Sequence, residues 1–340
     1  MKILHVTECV GGGVCRAIDA VVAGSPQHEH MLLSVDPASQ VDGGRAFSQV
    51  WRFPHGHLAR LRFLNRVASE LRPEVVHAHS SWAGLYSRVV GLPCSTIYEP
   101  HAYAFESASK LKRGLFYLAE RILATRADAV VALSPREAGL ARKLNPRAKI
   151  VLVPNVATIE PPPGPAVSRL RTVVMVGRLT PQKDPGYFSK LSRLVHERDD
   201  SIAFRWIGGG DPSLTTGLEG ADVTVTGWLD DDQLRQELST AGLYVHTALY
   251  EGFPLSVLDA ASCGVPIIAR AIPAFDGSAV HQIGTLEALA DAIVTFFHDQ
   301  GLHDRLRANN QALLAAMSPK AHNAALDLLY SSFESKRPHA

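Results

Sequence analysis

A short apolar stretch in the second half of the chain, YEGFPLSVLDAA, carries two carboxylates, Glu251 and Asp259, eight positions apart. A glycine and a proline precede an apolar run that ends at Gly264, which is the pattern of a short helix with a glycine stop. The helix is predicted to start just after Glu251, so that backbone N–H groups from Leu255 onward have no partner inside the helix. Such a helix start can bind an anion. The alternative is that both carboxylates simply lie on a solvated surface.

Two cations follow a strand-like segment, residues 171–176, in the loop Gly177-Arg178-Leu179-Thr180-Pro181-Gln182-Lys183. The planar guanidinium of Arg178 and the mobile ammonium of Lys183 are five positions apart and can converge on two phosphates. A solvated basic loop is the alternative.

These two segments resemble the retaining glycosyltransferases of family 4, which have the GT-B fold. The stretch from Glu251 to Asp259 is similar to the E-x7-E signature of that family, and residues 177–183 are similar to its G-R-L-x-x-x-K frame. The chain departs from the family in carrying aspartate at the second acidic position. It also lacks a G-G-x-x-E frame in residues 271–276, which read AIPAFD.

The resemblance implies a role for each matching residue. Glu251 would sit by the donor sugar, Asp259 would hold the nucleotide ribose, and Arg178 and Lys183 would meet the donor diphosphate. With His101, the residues Glu251, Arg178 and Lys183 form the implied catalytic set. The remaining members of the implied donor-binding set are Gly12, Gly13, Gly177, Gly208, Trp228, Leu229, Gly252, Phe253, Pro254, Leu255 and Ser256.

Glycine-rich loops follow two other strand-like segments, and they permit close approach of a ligand to the backbone. Neither loop completes the G-x-G-x-x-G fingerprint of dinucleotide binding, because Arg16 and Ser213 occupy the third glycine position. Asp36, at the end of the next strand, could still act as the ribose acid of a nicotinamide site. That interpretation stays open as the weaker alternative.

Histidines recur in three H-x-H pairs, at 28/30, 55/57 and 77/79. His77 and His79 have strand spacing and are expected on one face of a strand. No third ligand of recognisable spacing accompanies any pair, so the sequence predicts polar packing and no metal site. His101 follows another predicted strand, and the resemblance implies that it lies near the transferred sugar. A histidine that caps the loop is the alternative.

Composition narrows the functional class. Lys and Arg number 34 against 33 Asp and Glu, so no global field recruits nucleic acid and any anion must be bound locally. The four cysteines show no zinc-binding spacing, and the N-terminus begins with a strand rather than a signal peptide, which predicts a reducing cytoplasm. No apolar run approaches the ~18 residues that span a bilayer. Membrane contact, if it occurs, is expected to be peripheral.

Strand and helix patterns alternate along the whole chain, which predicts an α/β protein. A proline-rich segment, residues 160–165, can be neither helix nor central strand and is predicted to separate two domains. By the resemblance, the fold is GT-B, with two Rossmann-like domains whose parallel sheets face a central cleft. The predicted parts are an acceptor-binding domain at 1–158, a linker at 159–170, a nucleotide-sugar-binding domain at 171–317 and a C-terminal helix, 318–340, that packs back on the first domain.

Residues 107–126 form one long predicted helix in which Lys110, Lys112 and Arg113 stand beside aromatic residues. Such a helix could lie on an anionic membrane. We favour an ordinary domain helix, because one face carries a stripe that is typical of a core. The stripe consists of Leu111, Leu115, Leu118, Ile122 and Leu123.

The sequence and the resemblance together predict a cytoplasmic enzyme, with membrane association as an open alternative. It would transfer a sugar from a nucleotide-diphosphate sugar to a glycan, lipid-linked or small acceptor with retention of configuration. No cofactor or metal and no nucleic-acid partner is expected. An epimerase of the same fold and a non-catalytic nucleotide-sugar binder remain alternatives. The epimerase would form product without an acceptor.

Overall fold

A computed structural model describes residues 1–37, 47–107, 110–161 and 169–334 of the chain. The chain divides into two compact units. Unit 1 consists of Met1–Val156 together with the C-terminal segment from Ser318, and unit 2 is Ala157–Met317. Most of the proline-rich segment, residues 162–168, lies outside the described residues.

Unit 1 is built on a seven-stranded sheet with the order β3-β2-β1-β4-β5-β6-β7, in which all the described pairings are parallel. A 3₁₀ turn, Ala124–Arg126, follows α5. The elements in chain order are β1 (Lys2–Thr7), α1 (Gly12–Gly24), β2 (Glu29–Ser34), β3 (Phe47–Arg52), α2 (His57–Leu71), β4 (Val75–His79), α3 (Ser81–Val89), β5 (Ser95–Glu99), α4 (Ala104–Ser107), α5 (Lys110–Leu123), β6 (Ala129–Ala132), α6 (Pro135–Leu144), β7 (Ile150–Leu152) and, at the C-terminus, α13 (Pro319–Glu334).

Both faces of this sheet are covered, as parallel sheets require. The alternation of β1 divides its side chains between two cores: Ile3 joins the cluster beneath α1 and α13, whereas Leu4 joins the cluster beneath α2 and α3. Tyr330 of α13 is fully buried in the first cluster. The C-terminal helix is therefore part of the core of unit 1.

Unit 2 has a six-stranded sheet with the order β10-β9-β8-β11-β12-β13, again parallel in all the described pairings. Its elements are β8 (Thr172–Val176), α7 (Pro185–His196), β9 (Ala203–Ile207), α8 (Pro212–Glu219), β10 (Val223–Val225), α9 (Asp231–Thr240), β11 (Leu243–His246), α10 (Leu255–Ser262), β12 (Ile267–Arg270), β13 (His281–Ile283), α11 (Leu286–Phe296) and α12 (Gln300–Ala316). The strand order reverses between β8 and β11, and open parallel sheets bind ligands at the carboxyl ends of strands at such a point.

The core stripe predicted for residues 107–126 is wrong. Leu115, Leu118 and Ile122 of α5 have exposed fractions of 64%, 54% and 61%, and only Leu123 of the described stripe is buried. A helical period shows that one face is apolar, but it does not show whether another element covers that face. Among the described helices, none has both the length and the hydropathy of a bilayer-spanning segment.

Candidate active site

The loops that follow β8 and β11 are joined by several hydrogen bonds, two of which reach backbone carbonyls of the first loop. The Thr247 hydroxyl donates to the Lys183 carbonyl at 2.9 Å, and the Leu249 N–H donates to the Gln182 carbonyl at 2.9 Å. Because β8 and β11 are neighbours in the sheet, both loops leave the same edge. This arrangement brings Lys183 beside Glu251, which is 68 positions further along the chain.

Glu251 lies at the centre of this contact. Its Oε1 accepts from the Lys183 ammonium and lies 3.4 Å from His246 Nε2, while Oε2 accepts from Gln182 Nε2 at 3.4 Å. Burial raises the pKa of Glu251, but the Lys183 ammonium and His246 outweigh this effect and lower it to about 2. The carboxylate is therefore ionised across the physiological range.

Helix α10 begins at Leu255, four positions after Glu251. Pro254 precedes its first residue with no side-chain cap, and the first turn contains no acidic residue. The free N–H groups and the helix dipole therefore give this end a partial positive charge. The Ser256 hydroxyl lies 2.9 Å from the Tyr244 hydroxyl, which fixes the first turn against β11.

The residues around the start of α10 are held in place by packing. Phe253 and Leu255 are each 6% exposed, and Gly252 and Pro254 are also buried. The Tyr244 hydroxyl also lies 3.0 Å from His246 Nδ1, so that one buried tyrosine orients both α10 and the histidine beside Glu251.

Arg178 lies in the loop after β8, is exposed, and forms no ion pair within the described part of the chain. The adjacent Gly177 carbonyl accepts from Trp206 Nε1 at 2.8 Å. The loop backbone is therefore anchored while the guanidinium stays available to an anion.

Packing within unit 2 requires a glycine at position 208, which belongs to the predicted donor set. Gly208 has a φ of +137°, and a Cβ there would lie 2.3 Å from the Gly177 carbonyl oxygen. The carboxyl ends of β8 and β9 therefore approach more closely than any side chain allows. Trp228 is 63% exposed and Leu229 is half-buried.

Asp259 accepts hydrogen bonds from residues at the start of unit 2. It is 1% exposed, and its Oδ1 accepts from the Thr158 N–H at 2.7 Å, the Thr158 hydroxyl at 3.1 Å and the Ile159 N–H at 3.0 Å. The carboxylate therefore anchors the first residues of unit 2 to α10.

Gly12 and Gly13 lie in unit 1, at the start of α1. A Cβ at either position would meet no atom within 4 Å. Beside this loop, the Glu8 carboxylate accepts from the backbone N–H groups of Trp82 and Ala83 and so caps α3.

His101 follows β5 and joins a buried polar cluster in unit 1. His101 Nε2 lies 3.3 Å from Glu99 Oε1 and 3.3 Å from His79 Nδ1, while His77 Nε2 lies 3.2 Å from Glu99 Oε2. His5 Nδ1 contacts His79 Nε2 at 3.0 Å. Burial lowers the pKa of His101.

Other ligand-type groups lie beside His77 and His79 in space, although none accompanies them at a recognisable sequence spacing. The nitrogen atoms of His5, His77 and His79 lie within 4.8 Å of one another, as do the ligand atoms of His79, Glu99 and His101. Spacing in the sequence could not reveal this, because the groups come from neighbouring parallel strands, β1, β4 and β5.

Two family models match the chain. Residues 12–156 match "Glycosyl transferase 4-like domain", and residues 170–299 match "Glycosyl transferases group 1". Together with the two parallel-sheet units, these matches define the class: the chain is a glycosyltransferase with the GT-B fold.

Individual relatives lie within the same class. The chain is 26% identical over 281 residues to "UDP-Gal:alpha-D-GlcNAc-diphosphoundecaprenol alpha-1,3-galactosyltransferase" of Escherichia coli, which covers 71% of this chain and 70% of that protein. It is 27% identical over 282 residues to "Putative teichuronic acid biosynthesis glycosyltransferase TuaC" of Bacillus subtilis strain 168. That match covers 74% of this chain and 68% of the relative. The structure of Anabaena Alr3699/HepE with UDP and glucose has a TM-score of 0.81 at 17% identity, covering 98% and 100%.

Sequence reasoning missed three residues that build this site: Gln182, Tyr244 and His246. His246 offers the clearest signal, since it is the last residue of the strand that leads into the Glu251 loop. A buried strand that ends in a titratable side chain at the ligand-binding edge of a parallel sheet is a reasonable candidate for a site residue.

Proposed function

We propose that this protein transfers a sugar from a UDP-sugar to a lipid-linked acceptor with retention of anomeric configuration. The main support for the proposal is the ion pair between Lys183 and Glu251, which lies beside the start of α10, where no side chain caps the helix. Two cations, Lys183 and the exposed Arg178, and a helix N-terminus supply what a departing diphosphate needs.

In the proposed reaction the donor diphosphate takes the Lys183 ammonium away from Glu251. The guanidinium of Arg178 and the N–H groups of Leu255 and Ser256 complete the stabilisation of the leaving group. No metal ion is proposed at the diphosphate, because these groups already neutralise it. Glu251, released from its lysine, orients the donor sugar.

The proposed donor is a UDP-sugar, with UDP-galactose as the first to test. The E. coli relative is named for UDP-Gal, and the HepE structure contains UDP and glucose. The resemblance further implies that the base is contacted by the main chain around Trp228 and Leu229.

Retention is proposed without a covalent sugar–enzyme intermediate. Retaining hydrolases place a second carboxylate as the nucleophile. Here the second carboxylate of the motif, Asp259, is buried against the backbone of Thr158 and Ile159. It is therefore a poor candidate for attack on the sugar.

For the acceptor, the proposal assigns unit 1 and its helix α5. The E. coli relative acts on a sugar linked to diphosphoundecaprenol, which is a membrane lipid. The exposed Leu115, Leu118 and Ile122 stand beside the exposed cations Lys112 and Arg113, a combination that suits an anionic bilayer surface.

The test is a transfer assay with labelled UDP-galactose, UDP-glucose and UDP-N-acetylglucosamine, each with and without a sugar-diphosphoundecaprenol acceptor. We expect labelled lipid only when donor and acceptor are both present, with the donor's anomeric configuration kept in the product as judged by NMR. An altered nucleotide sugar formed without acceptor would indicate an epimerase. Binding without any product would indicate a non-catalytic binder.

A further inference from the structure

The polar cluster of unit 1 contains three ligand-type groups. Two of them, His79 and Glu99, have no role in the proposed transfer, and the third, His101, has a role only through the family resemblance. His79 Nδ1 lies 3.3 Å from His101 Nε2 and 3.3 Å from Glu99 Oε2, and His101 Nε2 lies 3.3 Å from Glu99 Oε1. The side chain of His79 is fully buried, and those of Glu99 and His101 are 3% and 7% exposed.

The contacts around Glu99 are close but are not aligned as hydrogen bonds. Glu99 Oε2 and His77 Nε2 are both enclosed and lie 3.2 Å apart, but their contact does not have the alignment of a well-directed hydrogen bond. A buried carboxylate normally accepts well-directed hydrogen bonds. Groups that converge without such alignment are typical of ligands around a cation.

The negative charge of Glu99 also indicates that a cation belongs in this cluster. Its ion-pair partners among the described residues are the histidines 77, 79 and 101, and no described lysine or arginine lies within 4.0 Å. Burying a carboxylate without a compensating cation is costly. The cluster therefore requires a positive charge that no fixed side chain supplies.

A chain of hydrogen bonds determines which nitrogen of His79 carries a lone pair. The Ser25 carbonyl can only accept, so His30 Nε2, at 2.9 Å, carries the proton. If each ring is neutral, His30 Nδ1 then accepts from His5 Nε2 at 2.9 Å, and His5 Nδ1 accepts from His79 Nε2 at 3.0 Å. The remaining nitrogen, His79 Nδ1, is left with a lone pair that faces Glu99 Oε2.

We propose that His79 Nδ1, His101 Nε2 and the Glu99 carboxylate bind one divalent transition-metal ion of the Zn²⁺ class. Tetrahedral zinc with bonds of about 2.0–2.1 Å places its ligand atoms about 3.3 Å apart. The two nitrogens have this separation, and each of them lies 3.3 Å from one of the two oxygens of the Glu99 carboxylate. The other nitrogen of His79 donates to His5, as metal-bound histidines usually donate to a second group.

A second arrangement, His5 with His77 and His79, fits less well. These nitrogens also lie within 4.8 Å of one another, but His5 and His79 already share one proton in a hydrogen bond. The chosen ligands also account for the backbone, since His101 and Ala102 have φ values of +51° and +78°, which need support from their surroundings. The ion would hold this loop to β4 and β5.

The test is elemental analysis of tag-free protein after equilibration with Zn²⁺ and dialysis against metal-free buffer. We expect about one zinc per chain, and about a tenth of that or less in Glu99→Gln and His79→Asn, because each removes a ligand. His28→Gln, a change at a histidine outside the proposed ligands, is the matched control and should keep the metal. Circular dichroism checks that every variant is folded. With Co²⁺ in place of Zn²⁺, the wild type should show visible absorption, whereas Glu99→Gln and His79→Asn should not.

Two results would overturn the inference. Wild-type protein that retains no stoichiometric metal would show that the positive charge in the cluster is a proton. Metal that survives in His101→Gln but is lost in His5→Gln would assign it to the other arrangement. Neither result bears on sugar transfer, which is measured separately.

Discussion

At the scale of single residues, the proposed mechanism depends on the ion pair between Lys183 and Glu251. In the chain without ligand the two charges are paired and largely buried, with 16% and 9% of their side chains exposed. Lysine is a mobile point charge that can move to a phosphate. The pair keeps Glu251 ionised, and under the proposed function its lysine would pass to the donor diphosphate.

The first prediction concerns stability in acid. The pKa of Glu251 is lowered from 4.5 to about 2 in the folded chain, so the stability it contributes is present above pH 4.5 and is lost as the pH falls towards 2. The full effect is about 3 kcal/mol. Between pH 6 and pH 3, wild type should lose more free energy of unfolding than Glu251→Gln in urea titrations. Equal losses would show that the pair contributes nothing.

The second prediction concerns turnover. Glu251→Gln removes the negative charge that the proposed mechanism places next to the sugar as positive charge develops on its ring, and only contacts that strengthen in the transition state raise the rate. We expect kcat to fall by about 100-fold or more with a small change in donor KM. Steady-state kinetics at saturating acceptor measure both constants. A variant with normal kcat would remove Glu251 from the chemistry.

The third prediction concerns Asp259, whose neighbours suggest a structural role. Asp259→Asn weakens charge-assisted hydrogen bonds from Thr158 and Ile159, which should cost about 1.5–3 kcal/mol of stability. Thermal unfolding and donor KM should be measured on the same preparation. A lower melting temperature with unchanged KM supports the anchor, whereas a raised KM with unchanged stability would restore the ribose role that the family resemblance implies.

Residue types and spacing singled out the charged residues of the candidate site, but not all of the groups that contact them in the structure. Glu251, Arg178 and Lys183 stand in recognisable frames, and a helix start next to Glu251 follows from glycine and proline placement. The Tyr244–His246 support and the histidine cluster could not be predicted, because their members meet only when separate strands pair.

At the scale of elements, strand and helix assignments agreed well with the structure, and the main error lay in one surface. The apolar face of α5 was expected in the core and is exposed instead. Apolar periodicity shows only that the apolar side chains share one face of a helix. Whether another element or a partner covers that face depends on the rest of the fold.

The fourth prediction tests whether that partner is a membrane. Leu118→Ser combined with Ile122→Ser should weaken binding to vesicles that contain anionic lipid by at least about tenfold, since each buried apolar side chain contributes about 1.5–3 kcal/mol. Leu328→Ser is the matched control, because Leu328 of α13 is 66% exposed. Sedimentation with vesicles measures the partition. Equal binding by all three proteins would exclude α5 from the membrane contact.

At the scale of the whole molecule, two parallel sheets are formed by separate units, and the final helix belongs to the first of them. The alternation of strands and helices predicted this architecture, because each parallel pair needs a helical crossover. The packing of α13 on unit 1 was expected only from the family resemblance. The residues of this helix show that it has an apolar face, but they do not indicate which of the two sheets that face covers.

The central claim is that unit 2 holds the donor diphosphate with Lys183, Arg178 and the start of α10. Calorimetric titration with UDP tests it most directly, on wild type, Lys183→Ala and the control Lys190→Ala, whose lysine is exposed on α7. We expect UDP to bind wild type and Lys190→Ala equally and Lys183→Ala about 10- to 100-fold more weakly, as the loss of a charge-assisted contact predicts. Equal affinity in all three proteins, or no UDP binding by wild type, would contradict the account.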